Sequence, residues 1–132
     1  MPKSDLMKII DEAREAGRKA AQVKLEELKR VGPVWIVTDD LTGKSVGTML
    51  DVCGFAHINL KISGHDKRWQ ELKRLAEVNT NRIHVWSDGS KTLSIFDMSM
   101  RQELSVNESA CEGALTVLKN HGFDGYVESR ID

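Results

Sequence analysis

The chain has 132 residues and a mass of 14.8 kDa, the size of one ordinary domain whose core needs no disulfide or metal staple. With 40% hydrophobic and 30% charged residues it has the balance of a soluble globular protein, not of a disordered tail or a fibre. Nineteen Lys and Arg stand against twenty Asp and Glu, a net charge of -1, so charge alone demands neither nucleic acid nor a membrane as partner.

Residues 4 to 31 read as one long helix, with Ser4 as N-cap and Gly32-Pro33 as stop. Leu6, Ile10, Ala13, Gly17, Ala20, Ala21, Leu28 and Val31 follow a 3.6-residue period. The middle of that stripe is small, which lets another backbone come close, so the segment is read as a docking helix for a partner helix or a sheet. Nothing at the N-terminus resembles a secretory signal or a transit peptide, and no apolar run approaches the roughly 20 residues of a spanning helix.

Val34 to Thr38 and Ser45 to Leu50 read as two strands around the turn formers Asp39-Asp40-Leu41-Thr42-Gly43-Lys44. Phe55 to Ile62 alternates: Ala56, Ile58, Leu60 and Ile62 form an apolar face and Phe55, His57, Asn59 and Lys61 the other. Asp66 then caps a short amphipathic helix carrying Trp69, Leu72, Leu75 and Ala76 and ending near Asn79, its outer side lined by Lys67, Arg68, Lys73 and Arg74.

Arg82 to Ser87 is a strand with Ile83 and Val85 on one side and Arg82, His84 and Trp86 on the other, and Asp88-Gly89 turns it into a return strand at Lys91 to Asp97. Residues 98 to 104 fit a loop or a helical turn. Asn107 begins a helix with the stripe Ala110, Ala114, Val117 and Leu118, stopped at Asn120-His121-Gly122, and Tyr126 to Ile131 makes the last strand. The expected fold is a single α+β domain over residues 1–132. It is a two-layer sandwich with a mainly antiparallel sheet, helices on one face and the long N-terminal helix over 1–31.

Candidate chemistry is sparse. His57, His65, His84, His121 and Cys53 are conceivable metal ligands, yet their spacing assembles no convincing set, and neither metal nor cofactor is expected. Cys53 beside Gly54 could serve as a nucleophile with His57 or His84; no flanking signature accompanies it, and the chain is read as a non-enzyme. No Gly-rich phosphate loop occurs. Both cysteines are expected reduced in a cytosolic protein, with Cys111 serving helix packing.

The residues singled out for binding are Trp35, His57, Arg82, His84 and Trp86, grouped on the polar side of the sheet with Phe55, Lys61 and either Tyr126 or Arg130 near them. Interleaved aromatic and basic side chains on an open sheet suit base stacking with phosphate contacts, and equally suit aromatic anchors of a protein interface. The long helix is itself a candidate cover for this face.

The segments Val46-Gly-Thr-Met-Leu-Asp-Val-Cys-Gly-Phe-Ala56, Met98-Ser-Met-Arg101 before Asn107-Glu-Ser-Ala-Cys111, and Gly125-Tyr-Val-Glu-Ser-Arg-Ile-Asp132 resemble a family of small uncharacterised proteins encoded by phages and prophages. The resemblance carries no catalytic residues. It implies work by binding, of a host protein or a defence complex or of phage nucleic acid; the chain itself is read as associating with a host or phage protein or with a second copy of itself. Phage nucleic acid is the alternative partner.

Overall fold

The computed structural model describes residues 5–31, 35–38, 45–49, 54–79, 83–86, 91–95 and 104–131, with residues 31, 35–38, 45–49 and 131 described in backbone only. In chain order the elements are α1 (Asp5–Val31), β1 (Trp35–Thr38), β2 (Ser45–Met49), β3 (Gly54–Leu60), α2 (Lys67–Val78), β4 (His84–Trp86), β5 (Lys91–Ser94), α3 (Leu104–Asn120) and β6 (Gly125–Ile131). β4, β5, β3 and β6 form, in that spatial order, one fully antiparallel sheet. The order β3-α2-β4-β5-α3-β6 in the chain, laid out this way in the sheet, is the split βαβ arrangement.

Alternation explains the layers. Ile58, Leu60 and Leu93 are buried, and with Ile83 and Ile95 they join Trp69, Leu72 and Leu75 of α2 and Ala110, Cys111, Ala114, Leu115 and Leu118 of α3 in one core. Each large aliphatic buried here stabilises by about 1.5–3 kcal/mol relative to exposure. α1 lies on the same side of the sheet, against α3 and α2 rather than on the strands. The apolar face expected for Ala56, Ile58, Leu60 and Ile62 is thus the helix-facing side.

The small stripe of α1 does what its composition implies. A Cβ placed on Gly113 of α3 would stand 2.9 Å from the Ala16 carbonyl oxygen, 2.9 Å from Ala20 Cβ and 3.2 Å from Gly17 Cα. The two helix backbones meet there with no room for a side chain. Arg14, one turn from Ile10 on the buried side, is itself buried. Its Nε donates to the Ile95 carbonyl at 2.7 Å and its Nη1 contacts Asp11 Oδ1 at 3.2 Å.

The caps of α2 and α3 within the described residues follow the sequence, while Ser4 and Gly32-Pro33 lie outside them. Asp66 Oδ1 accepts from the Arg68 N–H at 2.8 Å, and Asn79 closes α2 through Leu75. Along α2, Arg74 hydrogen-bonds Glu71 at 2.5 and 2.9 Å, which holds the Glu71 carboxyl below its usual range. After α3, the N–H of Phe123 reaches the Leu118 carbonyl and that of Gly122 the Lys119 carbonyl, with Gly122 at φ 89°. This Schellman closure needs the left-handed backbone that glycine adopts without cost.

Three expectations change. α3 begins at Leu104, one turn before Asn107, because Leu104 and Val106 are buried with the rest of the helix. Among the described residues β1 and β2 pair only with each other, in a separate two-stranded sheet. Strand pairing therefore does not bring Trp35 onto the face that carries Trp86. β5 runs between β3 and β4, so His57 and His84 are not on adjacent strands.

Candidate functional site: the open face of the four-stranded sheet

The register places the polar residues of four strands on the side away from the helices. Across the sheet, Trp86 pairs with Thr92, Thr92 with Asn59, and Asn59 with Tyr126; one step on, His84 pairs with Ser94 and His57 with Glu128; Phe55 pairs with Arg130 at the far end. With α1 stacked on α3 and α2, no described helix covers this face. The alternative in which the long helix lies over it is not what the chain adopts.

Three aromatics stand out of the core here: Trp86 is 49%, Tyr126 49% and Phe55 48% exposed. His84 and Trp86, two apart on one strand, stack with ring centroids 6.1 Å apart and planes 18° apart. Between them and β6 runs a shallow groove of about 520 Å³, with Phe55, His57, Trp86, Ser94, Glu128 and Arg130 around it. Trp69, by contrast, is a core residue, 1% exposed.

A polar network adjoins the groove and shares Thr92 and Glu128 with its lining. Asn59, buried, donates through Nδ2 to Glu128 Oε2 and to the Tyr126 hydroxyl at 3.2 Å, and its Oδ1 accepts from Thr92 Oγ1 at 2.9 Å. His57 Nε2 lies 3.6 Å from Glu128 Oε2, an ion pair only when the imidazole is protonated. A fully bonded Asn in this position fixes the side chains around it and costs little, whereas an unpaired one would be expensive. The groove thus joins the apolar side chains of Phe55, Ala56 and Trp86 to one carboxylate, Glu128, and one guanidinium, Arg130.

Of the residues singled out from sequence, the structure brings His57, His84 and Trp86 to this face. Trp35 has only its backbone described, in the other sheet, and Arg82 lies outside the described residues. Asn59, Glu128, Thr92 and Ser94 were not foreseen as site residues. The signal for Glu128 was the alternation Tyr126, Glu128, Arg130 in the last strand; the signal for Asn59 was an uncharged polar residue between Ile58 and Leu60.

Among the described residues no three His, Cys, Asp or Glu converge as a metal site would require. Cys53, the thiol considered as a nucleophile, lies outside them. Cys111 is buried in α3, where loss of solvent, reinforced by Glu112 and Glu108, pushes its thiol up to about 12. That is the opposite of an activated thiol. Among the described residues no helix is long and apolar enough to cross a membrane.

No protein-family model, no curated protein and no solved structure matches the chain.

Proposed function

We propose that this is a non-enzymatic accessory protein of phage or mobile-element origin that acts in the host cytoplasm by binding another protein through the open sheet face, and that it restrains a host or defence system in doing so. The observation that carries the reading is Trp86, half-exposed and braced by His84 outside the core. Trp, Tyr and Arg are the residue types that dominate binding energy at protein interfaces, and Trp86, Tyr126 and Arg130 share this face with the hydrogen-bonded network of Asn59. The resemblance to phage-encoded proteins supplies the biological setting and nothing about the target.

Single-stranded nucleic acid is the second reading, favoured by one observation: a four-stranded antiparallel sheet with its helices on one side leaves a platform of the kind on which bases stack. Against it, among the described residues the two central strands offer on that face one large aromatic, Phe55, beside His57, Asn59, Thr92 and Ser94, and Glu128 sits where phosphates would approach. The two readings separate in one experiment. Capture from nuclease-treated host lysate retains a protein partner under the first. A mobility shift on single strands that weakens steeply between two salt concentrations supports the second.

A further inference from the structure

The sheet has two edges, and they differ. β4 is three residues long, the usual way an edge is kept from pairing with other chains, whereas β6 runs for seven residues in unbroken register with β3, from Gly125 opposite Leu60 to Ile131 opposite Gly54. Among the described residues β6 contacts β3 and α3, and no strand runs along its other side.

The hydrogen-bond phase says which groups face outward. Lys61 N–H donates to the Asp124 carbonyl at 2.8 Å, and alternation then turns the amides of Tyr126, Glu128 and Arg130 toward β3. Gly125, Val127, Ser129 and Ile131 therefore present their N–H and C=O to the free edge. The Gly125 N–H is taken by Asp124 Oδ1 at 2.8 Å, so the open template is Val127, Ser129 and Ile131.

We propose that this edge is a dimerisation surface: β6 pairs antiparallel with β6 of a second copy about a two-fold axis at Ser129, joining two sheets into one. Ser129 then bonds its own copy and Val127 bonds Ile131, while Glu128 falls directly opposite Arg130 twice, in the non-hydrogen-bonded positions where side chains come closest. Shifting the axis to Glu128 sets the two carboxylates against each other. Shifting it to Val127 calls on the Gly125 N–H that Asp124 already occupies. Self-complementary charge in a single register favours a second copy over a foreign strand. This inference does not depend on what binds the open face.

Sedimentation of the full chain at tens of micromolar tests it. The wild type is expected at twice 14.8 kDa; Glu128→Arg and Arg130→Glu each shift it to the monomer mass, and the double exchange restores the dimer. Ser129→Pro, which removes only an outward N–H on an edge strand, is expected to give a folded monomer. A wild type that stays monomeric overturns the proposal, leaving the edge to a foreign strand. A dimer that survives both Ser129→Pro and Arg130→Glu overturns it as well.

Discussion

Arg14 Nε donates a 2.7 Å hydrogen bond to the carbonyl of Ile95, tying the first half of α1 to the residue that follows β5. Arg14→Met keeps the apolar stem and removes the donor, leaving a buried carbonyl without it. The expected loss is about 1–3 kcal/mol of stability, read as a lower urea midpoint with an unchanged slope.

Arg14 also illustrates what the sequence conveyed. The four-residue step from Ile10 puts it on the buried stripe, but a charged side chain there reads as a solvated face until its acceptor on a distant strand is known. Elements governed by local chemistry were legible: the Asp66 cap, the Gly122 stop, the small stripe of α1 and the alternation of β3. What depended on pairing was not. Nothing near Trp35 shows that its strand joins a separate hairpin, and nothing near His57 shows that β5 comes between it and His84. Trp86 was placed on the right face because alternation with Ile83 and Val85 is a local property.

The α1–α3 contact has no spare volume at Gly113. Gly113→Val places its branches against the Ala16 carbonyl and Ala20 Cβ, atoms a single Cβ would already approach to 2.9 Å. Overpacking of this kind costs about 1–3 kcal/mol, and Gly17→Leu on the facing helix is expected to cost a similar amount. Thermal melts that match the parent in both variants would place the stripe away from α3.

Cys111 gives a pH signature. Its thiol, ordinarily at 9.0, is pushed up to about 12 in the fold by burial, so the unfolded chain ionises first. The stability it contributes is complete below about 9 and falls as pH rises from 9 toward 12. Urea midpoints measured in a Cys53→Ser background should decline over that range less steeply once Cys111→Ala is added. In the same background the native thiol is expected to be inert to a disulfide reagent at pH 8 and to react once the chain unfolds.

The central claim is that Trp86 anchors a protein partner on the open sheet face, and the affinity of a captured, purified partner for wild type and for Trp86→Ala tests it most directly. Because Trp86 lies at the sheet edge and is 49% exposed, the variant should keep the parent's circular dichroism and melt close to it. Loss of an interface anchor worth 2 kcal/mol or more corresponds to roughly 30-fold weaker binding, and that is the predicted result by calorimetry. A folded Trp86→Ala protein that binds the same partner within twofold of wild type would contradict it.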